Sequence, residues 1–240
     1  MLRKSRSLIL LGWTVFALLC LAAWDMSGLD LPVARLFATS AGFALRENWF
    51  LVHVMHEDAK TLSWLLVIGL VVLIGWPVGF LRRLDRAERT QLALSIIASV
   101  LVVTLIKQGS RTSCPWDLNE FGGAAHYVSH WSWGLRDGGP GKCFPAGHAS
   151  AGFAFLAGYF VLARRVPRAA TWWLVGSIVA GLVLGLVQQL RGAHYMSHTL
   201  WTGWLSWTTG LAIDMACTAW KARGRRDTAS QSLPASARLP

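Results

Sequence analysis

The 240-residue chain is 54% hydrophobic, contains 14 tryptophans and has a formal net charge of +11. Its apolar residues fall in long blocks rather than amphipathic stripes. This excludes an ordinary soluble domain, and the length suits one compact bundle with little room for a second domain. Nearly all the clustered Lys and Arg lie in short segments between blocks. That placement indicates orientation in a membrane and argues against nucleic acid as a partner.

Six apolar segments can be marked, at about 8–24, 61–80, 91–107, 148–163, 171–190 and 196–219. They predict an all-α polytopic membrane helix bundle with about six transmembrane helices, covering residues 1–220. The first follows Arg3, Lys4 and Arg6. It is long and lacks a small-x-small cleavage site, so it reads as a retained span. Basic clusters follow the second span (Arg82, Arg83, Arg86, Arg89), the fourth (Arg164, Arg165, Arg168) and the sixth (Lys221, Arg223, Arg225, Arg226). Basic loops stay cytoplasmic, which puts both termini inside and segments 25–60, 108–147 and 191–195 outside. Residues 31–50 are expected to form an interfacial helix with Leu31, Val33, Leu36, Phe37, Phe43 and Leu45 toward lipid. Residues 221–240 read as a disordered basic tail. Tryptophans at span ends, such as Trp24, Trp76, Trp172, Trp173 and Trp220, fit an aromatic belt.

Cys20 and Cys217 fall inside spans as inert apolar residues. Cys114 and Cys143 share the outward 108–147 loop, where a disulfide would staple it; the alternative is two free thiols.

Three outward clusters carry chemistry. Lys107 ends the third span with Arg111 four residues on, so a continuing helix would put both cations on one face. Pro145-Ala146-Gly147-His148 opens the fourth span, where free backbone N–H groups at a positive helix end suit an anion. His148 there is placed to hydrogen-bond a phosphate or protonate a leaving group. Arg191, His194 and His198 open the sixth span, with the two histidines stacked at i, i+4. Taken singly, a span-end cation or a helix-start histidine facing water would explain each of the first two clusters.

In this order and on these ends, the three clusters resemble the type 2 phosphatidic acid phosphatase superfamily. Its pattern is K-x6-R-P, then P-S-G-H, then S-R-x5-H-x3-D. The resemblance implies that His194 is a nucleophile forming a phosphohistidine and His148 a general acid. It also implies that the phosphate is held by cations, here Lys107, Arg111 and Arg191, and by the N–H groups of Ala146 and Gly147. No cofactor or metal is called for. Three positions depart from the pattern. Cys114 stands where the first motif has its second cation, Gln188 where the third has its arginine, and His198 where the third has its aspartate. Arg111 and Arg191, each about one turn away, are the available substitutes. His198 would orient His194 without a fixed charge, with Asp117 and Glu120 as possible carboxylate helpers.

The expected activity is hydrolysis of a lipid phosphomonoester or pyrophosphate at the periplasmic face of a bacterial inner membrane. The family suggests undecaprenyl pyrophosphate, phosphatidylglycerol phosphate, phosphatidic acid or a lipid A phosphate as substrates. The aromatic loop 116–142 (Trp116, Phe121, Tyr127, Trp131, Trp133) is the expected selectivity element. Three rivals remain at this stage. One is a phosphotransferase at the same site, and another a non-catalytic binder of anionic lipid. The third is a zinc or iron enzyme built on His194, His198 and His148, with His53, His56, Glu57, Asp58, His126 and His130 nearby.

Overall fold

The computed structural model of the chain describes residues 2–132 and 134–231. Its elements in order are α1 (Leu2–Ser27), α2 (Asp30–Arg35), α3 (Ala59–Val72), α4 (Arg86–Gly109), α5 (Ser150–Phe153), α6 (Leu156–Leu162), α7 (Pro167–Leu190) and α8 (Met196–Gln231). A wider helical segment, Phe50–Asp58, runs directly into α3. Among the described residues there is no strand, only two isolated bridges. The chain is therefore an all-α bundle, as the sequence predicts.

Three helices are long and apolar enough to cross a bilayer, Arg6–Ser27, Arg86–Gly109 and Pro167–Leu190, with Ser150–Leu162 a shorter apolar unit. The outward-turned residues of α1, α3 and α7 include Leu8, Phe16, Leu65, Ile68, Val179 and Leu182, all exposed. An apolar girdle of this kind is stable only against lipid. At the opposite side of these helices, α4, α6 and α8 enclose a core around Leu92, Ile96, Ala157, Val161 and Phe160.

Several joints explain where the helices stop. Asp85 and Glu88 form a reciprocal cap at the start of α4, with Glu88 N donating to Asp85 Oδ1 at 2.8 Å and Asp85 N donating to Glu88 Oε2 at 3.0 Å. The expected second span, 61–80, is shifted. Helix runs from Phe50 and ends at Val72, because Gly75 and Pro77 cannot continue it. The expected interfacial helix over 31–50 is also corrected. Only Asp30–Arg35 is helical, and Phe43 turns inward to pack with Ala34, Leu118, Phe121 and Tyr195 rather than toward lipid. The last helix runs through Gln231, into the segment 221–240 expected as a disordered tail, where Ala, Lys and Arg are good helix formers. The remainder of that segment, from 232, lies outside the described residues.

Because the helices alternate in direction, all the basic connections gather at one end and all the histidine-bearing ones at the other. At the basic end Arg164 pairs with Asp214 and donates to Gln91 Oε1 at 3.2 Å, joining the start of the α6–α7 connection to α4 and α8. In the bundle interior, Trp207 Nε1 donates to Thr14 Oγ1 at 2.8 Å and Trp204 Nε1 to the Thr14 carbonyl at 3.0 Å, tying α1 to α8.

Close approach of helices rests on glycine. A Cβ on Gly152 would lie 2.3 Å from the Gly181 nitrogen, so α5 touches α7 backbone to backbone there. Gly176, on the same helix as Gly181, has nothing within 4 Å of its Cβ direction. Gly152→Ala is therefore expected to destabilise the bundle by about 2–3 kcal/mol through overpacking. Gly176→Ala should leave stability unchanged or slightly raised. Thermal unfolding of both variants in one detergent tests the contrast.

Candidate active site

The histidine-bearing end is built from four segments: the start of α3 and the helical segment before it, the end of α4, the 143–149 turn, and the 191–198 turn leading into α8. The Cys114–Cys143 disulfide joins two of them, with Cα atoms 5.2 Å apart, as the sequence anticipates for this pair. Cys143 N donates to the Thr112 carbonyl at 2.9 Å beside it. Cys143 then becomes the hub of the site. Its carbonyl accepts from His198 Nδ1 at 3.1 Å, which fixes the hydrogen on that nitrogen, since a carbonyl only accepts. Its sulfur lies 3.5 Å from His194 Nδ1.

His194 is only 4% exposed. Burial above all, then the Lys107 ammonium and the His198 and His148 rings, push its imidazole well below the ordinary histidine value. A hydrogen bond with the Cys143 backbone pulls weakly the other way. The ring is therefore neutral near pH 7, the form that carries a nucleophilic lone pair. The rings of His194 and His198 stand 5.9 Å apart, with no hydrogen bond between them. The expected direct orientation of His194 by His198 is thus replaced by contact of both rings with Cys143.

His148 packs edge-on against His56, ring centroids 3.5 Å apart, and its buried Nε2 has no protein partner. The charges of Lys107, Lys60 and Arg191 act on it. Arg191, 5% exposed, donates to the Arg46 carbonyl at 3.0 Å and to Gln188 Oε1 at 3.2 Å, and stands 3.2 Å from His56 Nδ1. Gln188 and Arg191 are thus side by side, one turn apart on the chain. The Lys107 stem lies against Gly147, whose Cβ direction meets Lys107 Cδ at 3.4 Å.

Two expected ligands are placed elsewhere. Arg111 is exposed and donates to the Gly134 carbonyl at 3.0 Å. Helix α4 ends at Gly109 and the backbone is extended at Ser110, so the i, i+4 face is never formed. The Ala146 N–H donates to the His198 carbonyl at 3.1 Å and is occupied, while the Gly147 N–H has no such partner. Neither carboxylate helper reaches His194. Asp117 accepts from the Cys114 N–H at 3.2 Å, and Glu120 pairs with Arg35.

Lys60 and His56 are the residues that sequence reasoning left out of the phosphate site. They lie on one face, four apart, where the second helix begins. A hollow of about 250 Å³ runs from Lys60, Lys107, Gly147 and His148 down between α3 and α4 to Val67, Ile97 and Leu101. The signal was present in the sequence: ionisable groups at the mouth of a span are costly and usually functional.

The aromatic loop is pinned rather than free. Trp116 lies under the Arg46 guanidinium at 4.7 Å, Phe121 meets Phe43, Tyr127 meets Tyr195, and Trp131 donates to Asp25 at 2.9 Å. Trp133 lies outside the described residues. His194, His198 and His148, the ligands of the rival metal reading, do not form a group with ligand atoms within 4.8 Å of one another among the described residues. Among the described residues, the groups with ligand atoms within 4.8 Å are Cys114–Cys143–His194, whose sulfurs are bonded to each other, and Asp25–Asp30–His130.

A sequence model of the PAP2 superfamily matches residues 89–222, more than half of the chain. The chain belongs to the PAP2 superfamily. Membership supports a lipid phosphatase, a phosphoric ester hydrolase acting in a membrane. The match spans α4 to α8 and so holds Lys107, His148, His194 and His198, but not His56 or Lys60. A transmembrane PAP2-type phosphatidylglycerolphosphate phosphatase from Bacillus subtilis is 14% identical, with 90% of this chain and 96% of that one covered at a TM-score of 0.48. No curated protein sequence matches the chain.

Two outcomes are expected here. Lys60→Ala should lower kcat/KM for phosphate release about ten- to a hundredfold, as for loss of a charged contact, while Arg111→Ala changes it less than about twofold. Replacing both Cys114 and Cys143 by Ser, which opens a loop of 29 residues, should lower stability by about 3 kcal/mol in denaturant titration.

Proposed function

We propose that the chain hydrolyses the phosphate of a lipid at its histidine-bearing end, through a phosphohistidine on His194. The observation that carries this reading is the hollow between α3 and α4. It joins Lys60, Lys107 and His148 at one end to an apolar channel at the other, matching a molecule with a phosphate head and a hydrocarbon chain.

In the proposed mechanism, Lys107, Lys60, Arg191 and the Gly147 N–H hold the phosphoryl oxygens and stabilise charge on them during transfer. His194 Nδ1 is turned to Cys143, which leaves Nε2 to attack phosphorus. The P–O bond to the lipid breaks as the N–P bond forms, and His148, which takes up a proton once the bound phosphate offsets the charges of Lys107 and Lys60, delivers that proton to the departing oxygen. Water then attacks the phosphohistidine and gives up its proton to His148. Phosphate leaves, and the nitrogen lone pair returns to His194. No step requires a metal.

The orientation follows from charge. The basic loops gathered at the opposite end support a reading with both termini in the cytoplasm and the histidines at the periplasmic face of a bacterial inner membrane. The substrate classes to test are undecaprenyl pyrophosphate, phosphatidylglycerol phosphate, phosphatidic acid and lipid A phosphates. Transfer of the phosphoryl group to a second lipid uses the same site and the same first step.

Purified protein in mixed lipid–detergent micelles is expected to release phosphate from at least one of these lipids with chelator present, and His194→Ala to release none. Release abolished by chelator would transfer the chemistry to a metal. Undiminished release by His194→Ala would remove it from this histidine.

A further inference from the structure

Two hollows open toward the lipid side and share residues. The larger, about 820 Å³, lies between α3, α5 and α7, walled by Leu66, Phe80 and Trp172 and floored by Gly69, Gly176 and Ala180, and runs from Ala151 and Gly152 to Gly79 and Phe80 at the basic end. The smaller, about 480 Å³, shares Gly79, Phe80 and Ala169 with it and adds Arg83 and Arg168 at its rim. One continuous groove therefore has an apolar body and a doubly cationic mouth.

Three features identify an occupant. The first is length. From Ala169 to Ala180 the groove follows eleven helical steps of α7, about 16 Å, which is half of a hydrocarbon core about 30 Å thick. That is the depth of one leaflet, and so of one acyl chain. The second is charge. Four other arginines at this end are engaged, whereas Arg86, like Arg83 and Arg168, is exposed without a side-chain partner among the described residues but does not line the groove. Arg82 bonds the Pro77 carbonyl, Arg89 the Ile74 and Leu84 carbonyls, Arg164 pairs with Asp214 and Arg165 with Glu88. Arg83 and Arg168 are exposed and have no such partner among the described residues. The third argues against a second copy. In the same membrane orientation it would bring its own basic end alongside, setting like charges together.

We propose that this groove binds an anionic glycerophospholipid of the leaflet at the basic end, with one acyl chain along α7 and its phosphate between Arg83 and Arg168. Paired guanidinium groups suit a phosphate oxygen set, and the glycine floor lets the chain lie close to the helices. The phosphate end of the site, at Arg83 and Arg168, is distinct from the histidine cluster, the groove's other end reaches Ala151 beside the active-site hollow, and the assignment rests only on the chain residing in a membrane.

The test is native mass spectrometry of the full chain released from micelles loaded equally with phosphatidylglycerol and phosphatidylcholine. The wild type is expected to retain phosphatidylglycerol preferentially. The double variant Arg83→Gln/Arg168→Gln should retain it about thirtyfold less, given the usual contribution of two basic groups near anionic lipid. Gly176→Leu, which fills the groove where nothing lies within 4 Å of the new Cβ, should also displace it. Both variants should still release phosphate at the wild-type rate, which separates lipid loss from unfolding. Equal retention of the two lipids by the wild type, or wild-type retention of phosphatidylglycerol by either variant, would overturn the assignment.

Discussion

The hydrogen bond from His198 Nδ1 to the Cys143 carbonyl, 3.1 Å long, is the point on which the histidine-bearing end of this bundle turns. Both groups are buried, His198 at 1% and Cys143 at 0% exposure, so neither has water as an alternative partner. Around it the 143–149 turn and the start of α8 are laced together. Ala146 N donates to the His198 carbonyl, and Thr202 Oγ1 donates to both the Ala146 and His198 carbonyls. The disulfide fastens the same residue to the end of α4. The three motif clusters, far apart in sequence, are thereby held as one object.

This arrangement offers a physical account of the histidine standing where the superfamily pattern has an aspartate. A buried carboxylate beside a buried imidazole stabilises the cationic ring and raises its basicity. A carbonyl does so only as a dipole. His194 here touches Cys143 rather than a carboxylate, and burial beside Lys107 holds it neutral. In the mechanism proposed above, the charge that builds on the ring as it bonds phosphorus would be offset mainly by the incoming phosphate itself. An imidazole that is a poor base is also a better leaving group, which would favour breakdown of the proposed phosphohistidine.

Much of this was legible from residue order. The all-α membrane bundle, the Cys114–Cys143 pairing, and the meeting of Lys107, His148 and His194 follow from apolar block length, compartment and motif spacing, whereas of the six expected spans three are recognised as long and apolar enough to cross a bilayer. Other features depend on backbone geometry that spacing does not carry. Arg111 leaves the site because α4 stops at Gly109. Ala146 loses its N–H to a carbonyl one helix away. Lys60 and His56 join the site because the second helix begins at Phe50, well before its apolar stretch, so their face is set by a helix that hydropathy does not reveal. Segment 31–50 is apolar enough for a lipid surface, yet Phe43 finds a drier partner in Phe121, with ring centroids 5.1 Å apart.

Helix α8, marked in the sequence as the apolar segment 196–219, lies against α1, α4 and α6 yet is less apolar than the three helices long and apolar enough to cross a membrane. Its inward side carries Thr199, Thr202 and Ser206, each at most 1% exposed, and its tryptophans spend their N–H groups on α1. A helix surrounded by other helices meets protein rather than hydrocarbon: Thr202 Oγ1 donates to the Ala146 and His198 carbonyls, while the buried Thr199 and Ser206 hydroxyls have no partner among the described residues. Hydropathy measures compatibility with lipid, so it weakens where a helix is most central. The helix least conspicuous as a membrane span is therefore the one that carries His198 and anchors the site.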